Sequence, residues 1–169
     1  EEIPRVLAGS GECKAGLGDF TGAVALLEQA ASLEKRPAEK AEFLVRGAEW
    51  CRDAHLYDKG IACIRALDRQ VGRDKFPGLA PRAQLALAFL WMDKGDLARA
   101  ASGFQRFVDL YPNALADRPG ALLHKWMCLE RLGDASGAAS CYQRLTQEYH
   151  NHLAASEAAR RLAGLGSPK

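Results

Sequence analysis

A short turn recurs four times along this chain, each time between two stretches with helical periodicity. Three copies begin with Gly-Asp, at Gly18, Gly95 and Gly133, and a weaker copy begins at His55. Successive turns are 37, 40 and 38 residues apart, a period that fits a pair of helices plus a linker. The recurrence therefore predicts an array of helical pairs.

The helix after each turn repeats a small residue and a bulky residue at fixed offsets. The small residue stands five positions after the turn residue, and the bulky one follows four positions later. Four positions are about one helical turn, so both side chains lie on one face, where the small one lets a neighbouring helix approach closely. Glycine at the turn can adopt the left-handed conformation that ends a helix, and the aspartate can cap the next helix. The pairs are Ala23 and Leu27, Gly60 and Ile64, Ala100 and Phe104, and Ala138 and Tyr142.

This pattern resembles the tetratricopeptide repeat, and the resemblance covers roughly residues 4 to 150. The third copy matches best, with Gly95 as the glycine between the helices and Pro112 as the proline that ends the unit. The resemblance implies an all-α fold: a right-handed α-solenoid of about four helix-turn-helix units plus a C-terminal capping helix. The expected units are 4–37, 41–72, 81–114 and 119–150, with the cap at 153–165, in a single domain spanning 1–169.

The capping helix is expected to cover the apolar end of the array, because a stack of repeats needs a terminal element. Docking of another subunit is the alternative role. Its apolar residues recur at helical intervals, at Leu153, Ala154, Ala158, Leu162 and Leu165.

The joint after the third unit indicates a subclass. Residues 107–112, Phe-Val-Asp-Leu-Tyr-Pro, resemble the aromatic, acidic, Tyr-Pro joint of envelope-associated bacterial repeat proteins. These include outer-membrane-assembly lipoproteins and the coordinator proteins of the Tol-Pal system. The resemblance favours a periplasmic or envelope-associated location over a cytoplasmic one, although cytoplasmic repeat proteins contain similar joints.

Composition and motifs exclude several other classes of protein. No apolar run approaches the roughly 20 residues that a membrane-spanning helix needs. A net charge of +2, with basic and acidic residues interleaved, argues against nucleic acid as a partner. The glycines of residues 16–22 depart from the GxGxxG spacing, and no acid pair or nucleophile has a plausible partner. We therefore expect no enzyme activity, no cofactor and no metal site.

Four of the five cysteines fall into two pairs. Cys51 and Cys63 lie in the two helices of the second unit, and Cys128 and Cys141 occupy nearly the same places in the fourth. A disulfide within each pair is conceivable in an oxidising compartment. The alternative is that cysteine serves as a small apolar residue in helix packing.

Tetratricopeptide repeats line a concave groove with the first helix of each unit, so the resemblance also implies binding residues. The transferred positions carry mixed charge in the second unit, followed by an apolar stripe in the third and fourth. Such a stripe suits the apolar face of a partner helix or an extended hydrophobic segment. The alternative is that these side chains belong to the core or are covered by the cap. The predicted groove residues are Val45, Glu49, Arg52, Arg82, Leu85, Phe89, Met92, Leu123, Met127, Glu130 and Arg131.

Two functions compete on these grounds. The first is a non-catalytic protein-protein interaction module, or scaffold, whose groove binds a partner helix or an extended segment. The second is a structural fragment of a longer array that stacks end to end with further repeats or subunits, so that the chain self-associates through its ends.

Overall fold

The computed structural model describes the backbone of residues 2–165 and the side chains of residues 2–163. These residues form nine α-helices, one short 3-10 helix at Arg73–Lys75 and no strand, which confirms the all-α prediction. The helices are α1 Ile3–Gly16, α2 Phe20–Leu33, α3 Pro37–Asp53, α4 Tyr57–Gln70, α5 Ala80–Lys94, α6 Leu97–Leu110, α7 Arg118–Leu132, α8 Ala135–Glu148 and α9 Leu153–Leu165.

The chain divides into two compact units, residues 1–94 and residues 95–169. In the first unit α1 packs against α2, α2 against α3, and α3 against both α4 and α5. In the second unit α7 packs against α6, α8 and α9. The boundary falls in the turn between α5 and α6, inside the predicted unit 81–114. The single domain and the right-handed superhelix stay predictions.

All four turn residues have a left-handed backbone conformation, which the sequence predicts for the three glycines. The φ angle is 82° at Gly18, 59° at His55, 91° at Gly95 and 78° at Gly133. This region costs a residue with a side chain roughly 1–2 kcal/mol and costs glycine almost nothing, which explains glycine at three of the four turns. His55 adopts the same conformation, and its Nδ1 lies 2.8 Å from the hydroxyl oxygen of Tyr57.

The aspartate after each turn glycine caps the next helix, as predicted. Its carboxylate accepts a hydrogen bond from the backbone N–H three residues later, one of the amides that a helix start leaves without a partner. At the second turn Leu56 occupies this place and makes no side-chain cap. The three caps join Asp19 to Gly22 at 2.8 Å, Asp96 to Arg99 at 3.1 Å, and Asp134 to Gly137 at 2.9 Å.

Apart from the half-buried Tyr142, the repeated small and bulky residues are buried inside the helix pairs. Ala23, Ala100 and Phe104 are completely buried, and Leu27 is only 1% exposed. Gly60 permits the closest approach, because a Cβ on it would lie 2.7 Å from Cδ2 of the buried Leu90. The small residue thus acts as the sequence predicts, by admitting a neighbouring side chain.

Candidate functional site

Five of the predicted groove residues meet in one cleft of the first unit. The cleft lies between α3 and α5, which pack directly against each other, and its volume is about 280 Å³. We call it the α3–α5 cleft. The five predicted residues in its lining are Glu49, Arg52, Arg82, Leu85 and Phe89, and Ala48, Asp53 and Ala86 complete it.

The floor of the α3–α5 cleft is apolar. Leu85 and Phe89 are one helical turn apart on α5, so they present neighbouring side chains, and both are half-buried. Ala48 from α3 and Ala86 from α5 are buried beside them. The small alanines leave space above the floor that the larger side chains border.

Arg52 covers one side of this floor. Its guanidinium carbon lies 4.3 Å from the centre of the Phe89 ring, within the range of a cation-π contact. Nε of Arg52 also donates to Oδ2 of Asp93 at 2.5 Å, which links α3 to α5. The two contacts fix the guanidinium plane, and the aliphatic part of Arg52 extends the apolar surface.

A chain of alternating charges, which we call the ion-pair ladder, runs beside the cleft. Arg82 on α5 donates to Glu49 through two nitrogens, Nε and Nη2, each at 2.8 Å, and through Nη1 to Glu42 at 3.0 Å. Arg46 then pairs with Glu42 at 3.2 Å and with Glu12 of α1. The ladder Glu12, Arg46, Glu42, Arg82 and Glu49 therefore connects α1, α3 and α5.

The ladder favours the charged state of Arg82. The hydrogen bonds to Glu49, followed by those to Glu42, raise the pKa of Arg82 further above its ordinary value. Exposed pairs of this kind each contribute only about 0–1 kcal/mol to stability. Their main effect here is to leave the carboxylates and guanidinium groups beside the cleft already paired with each other.

Sequence reasoning missed Glu12 and Arg46 as members of this surface. The helical spacing of Glu42 and Arg46, four residues apart, is a local signal that could have indicated one pair. The contact from Arg46 to Glu12 depends on how α1 lies in the first unit, which the local pattern does not reveal.

Val45 is a correction to the predicted groove. Its side chain is completely buried and belongs to a core cluster with Ile61 and Leu67 of α4 and Ala83 of α5. The family position transferred to Val45 thus faces the neighbouring helices rather than a surface. Met92, also predicted, is half-buried on α5 and is not part of the cleft lining.

The predicted groove residues of the fourth repeat lie on α7, within the compact unit of residues 95–169. Leu123 and Met127 are half-buried, whereas Glu130 and Arg131 are exposed. Glu130 borders a different, largely apolar cleft of about 360 Å³ that sequence reasoning did not predict. Side chains of α7, α8 and α9 form it, and its lining includes Trp126, Ala138, Tyr142 and Leu162.

Among residues 2–163 no group of three or more His, Cys, Asp and Glu side chains is placed to hold a metal ion. In the same part of the chain no helix combines the length and the apolar character needed to cross a bilayer.

Comparison with known proteins agrees with the sequence pattern at its clearest copy. Residues 82–114 match the model of a family described as Tetratricopeptide repeat, and they include most of α5, the Gly95 turn and all of α6. The chain matches no curated protein. The match covers one of the four predicted repeats, and it therefore supports a tetratricopeptide repeat at residues 82–114.

Proposed function

We propose that this chain is a non-catalytic protein-interaction module whose α3–α5 cleft holds an apolar side chain of a partner helix or extended segment. Tetratricopeptide repeats generally mediate protein-protein interaction, which supports the class. The location within the fold rests on one observation: an apolar floor bordered by charges that are already paired.

The pairing argues for an apolar anchor rather than a charged one. A charged group of a partner would have to displace the bonds of Arg82 to Glu49 or of Arg52 to Asp93. An apolar side chain breaks none of them and gains about 1.5–3 kcal/mol when it is fully buried. Apolar anchors that fill pockets commonly dominate interface energies.

The size of the cleft favours a single anchoring side chain. Pockets for drug-sized ligands usually occupy about 300–1,000 Å³, and the α3–α5 cleft measures about 280 Å³. The remainder of the partner would then lie on the surface of α3 and α5. Met92 in the first compact unit, and Leu123, Met127, Glu130 and Arg131 in the second, stay predicted groove residues.

Selection from a displayed library of random peptides tests this proposal. Peptides selected on the native chain should lose at least about tenfold in affinity, or 1.4 kcal/mol, for the variants Leu85→Lys and Phe89→Lys. The matched control is Leu33→Lys, because Leu33 is 54% exposed on α2 and lies outside the cleft lining. Circular dichroism should show that all three variants keep their helix content.

The salt dependence of binding separates the apolar anchor from a charged one. Salt screens exposed charge pairs, with a Debye length of only about 3 Å at 1 M, and leaves apolar burial intact. Affinity should therefore persist in 1 M NaCl. Equal affinity for Phe89→Lys and the native chain, or binding that disappears in high salt, would contradict the proposal.

A longer repeat array is the second candidate function, and α1 gives it specific support. Ile3 and Val6 are each 65% exposed, and Leu17 just beyond the helix is 86% exposed. Exposed apolar side chains at one end of a repeat protein are the expected contact for a further repeat. Sedimentation at increasing protein concentration separates the two candidate functions. Concentration-dependent association would support the longer array, and a monomer at all concentrations would support the interaction module.

We also propose the envelope-associated subclass, on the strength of the joint at residues 107–112. In this joint α6 ends at Leu110, and the rings of Phe107 and Tyr111 pack with their centres 5.5 Å apart. Fractionation of the source cells tests the location, because a protein found only in the cytoplasm would refute it.

A further inference from the structure

Two cysteine side chains meet where α3 packs against α4. Cys51 on α3 is completely buried, and Cys63 on α4 is 8% exposed. Each cysteine packs beside a glycine of the facing helix, about one turn before the other cysteine. The Cys63 sulfur lies 3.8 Å from the place of a Cβ on Gly47, and the Cys51 Cβ lies 3.0 Å from that on Gly60.

The two thiols differ in access. Cys63 lines a cleft of about 310 Å³ between α2, α3 and α4, whereas Cys51 lies behind it in the core. The ion pair of Lys59 with Glu28, at 2.8 Å, stands at the same cleft. A small reagent in the cleft therefore reaches Cys63 first.

The two thiols differ in acidity. A hydrogen bond with Cys51 lowers the pKa of the Cys63 thiol, although burial opposes this effect. The same bond, with burial added, raises the pKa of Cys51. Access from the cleft, supported by the lowered pKa, makes Cys63 the reactive member of the pair, because the thiolate is the nucleophile, and Cys51 is the second thiol.

Cys128 and Cys141, the corresponding cysteines within residues 95–169, have a different register. Cys63 follows Cys51 by 12 residues, whereas Cys141 follows Cys128 by 13. Counted from the left-handed turn residue, Cys63 and Cys141 are both eight positions later, but Cys51 is four positions earlier and Cys128 five. One residue rotates a side chain by about 100° around a helix, so the partner of Cys63 has no counterpart at Cys128.

We propose that Cys51 and Cys63 form a redox-active dithiol that hydrogen peroxide converts to an intramolecular disulfide, with Cys63 as the attacking thiol. This site is separate from the α3–α5 cleft and does not depend on the proposed function. Three observations carry the proposal. Cys63 is accessible from the cleft, both cysteines pack where α3 meets α4, and their register sets this pair apart from Cys128 and Cys141.

The reaction balances in two steps. The Cys63 sulfur attacks one peroxide oxygen, the O–O bond breaks, and the leaving oxygen takes up protons to become water while Cys63 becomes a sulfenic acid. The Cys51 sulfur then attacks the Cys63 sulfur, the S–O bond breaks, and the released hydroxide takes the Cys51 proton to become a second water. Two thiols lose two electrons and two hydrogens, and one peroxide becomes two waters.

Peptide mapping of the folded chain tests the pairing. A Cys13→Ser background is used because Cys13 is exposed and would join two molecules. After peroxide treatment and trypsin digestion without reductant, residues 47–52 and 60–65 should appear as one linked pair lighter by two hydrogens. This pair should exceed the linked peptides 126–131 and 132–144 by at least about tenfold, because the register of Cys51 and Cys63 is not repeated at Cys128 and Cys141.

Oxidation of the chain unfolded in urea is the matched reference. Loops of 12 and 13 residues cost nearly the same entropy to close. The ratio of the two disulfide yields should therefore fall to about one in the unfolded chain. Equal yields of both disulfides in the folded chain, or no link between Cys51 and Cys63, would overturn the proposal.

Single substitutions test the order of attack. In Cys51→Ser the sulfenic acid of Cys63 should persist and react with dimedone, and in Cys63→Ser the Cys51 thiol should stay reduced. Circular dichroism checks that each variant is folded. Dimedone labelling of Cys51 in Cys63→Ser, at the rate seen for Cys63 in Cys51→Ser, would overturn the assignment of the attacking thiol.

Discussion

Asp134 shows at the scale of one residue how a turn is stabilised. Its Oδ1 accepts from the backbone N–H of Gly137 at 2.9 Å and from the hydroxyl of Ser136 at 3.1 Å. The N–H of Gly137, and then the hydroxyl of Ser136, lower the pKa of the Asp134 carboxyl below its ordinary value of 3.8. The cap therefore favours the charged carboxylate and couples the start of α8 to pH.

The sign of this coupling gives a prediction for Asp134→Asn. Because the folded-state pKa is depressed, the stabilisation is complete above the unfolded pKa near 3.8 and is lost as the pH falls through the folded pKa. Asparagine accepts the same bond but does not titrate. The variant should therefore lose less stability than the native chain between pH 7 and pH 3, measured by urea unfolding.

Asp134→Ala is the companion variant for this measurement. It should be less stable than Asp134→Asn at pH 7, because it removes the cap as well as the charge. If both variants reproduce the native difference between pH 7 and pH 3, the carboxylate of Asp134 does not couple the turn to pH.

At the scale of single elements, α9 packs against its neighbouring helices through small residues. It packs against α7 and α8, with Ala158 completely buried and Ala154 and Ala155 each 5% exposed. Leu153, predicted for the apolar face, is instead 83% exposed because it stands at the start of the helix. The predicted Leu165 side chain lies outside the described residues.

The docking of α9 predicts opposite outcomes for two neighbouring alanines. Ala158→Arg forces a long charged side chain into a filled contact, so the free energy of unfolding should fall by about 1–3 kcal/mol. Ala159→Arg places the same side chain on the exposed face and should change it by less than about 0.5 kcal/mol. Urea unfolding followed by circular dichroism measures both, and equal effects would argue against α9 as a cap.

The turns and caps could be predicted from sequence because their causes are local. A left-handed φ at Gly18, Gly95 and Gly133, with an aspartate beside each, needs only a few neighbouring residues. The turn at His55 was predicted from the spacing of the repeats alone, because histidine itself gives little indication of a left-handed turn.

The candidate site could be predicted only in part. Whether a side chain faces a cleft or the core depends on how the neighbouring helices pack. Glu49, Arg52 and Arg82 were predicted as a surface and do line the α3–α5 cleft. Val45 was wrong because its helix face is covered by α4 and α5, a contact between residues distant in sequence. The contact of Cys51 with Cys63 likewise required the register between α3 and α4.

At the scale of the whole molecule, the question is whether the two units unfold together. The sequence predicts one domain, and the structure describes compact units 1–94 and 95–169. Gly60 offers a way to perturb the first unit alone, because a Cβ there would lie 2.7 Å from Leu90 and 3.0 Å from Cys51.

Gly60→Ala should lower the stability of the first unit by about 1 kcal/mol, since overpacking typically costs 1–3 kcal/mol and exceeds the helix propensity gained. Hydrogen exchange should show faster exchange in α3, α4 and α5. The single-domain prediction requires α7 and α8 to lose protection by the same free energy. Unchanged protection there would contradict it and indicate independent folding.

Gly9→Ala is the matched control for this experiment. No atom outside its own helix turn lies within 4 Å of a Cβ placed on Gly9, so the alanine meets open space. It should stabilise α1 by about 1 kcal/mol through helix propensity.

The ion-pair ladder has a consequence for how this chain can change over generations. Arg82 is shared by Glu42 and Glu49, and Glu42 is shared in turn with Arg46. Reversing the charge of Arg82 or Glu42 therefore creates repulsion at two contacts, and a second substitution at a neighbouring position relieves one of them. Among descendants of this sequence these four positions should drift as a linked set, with compensated pairs more frequent than single reversals.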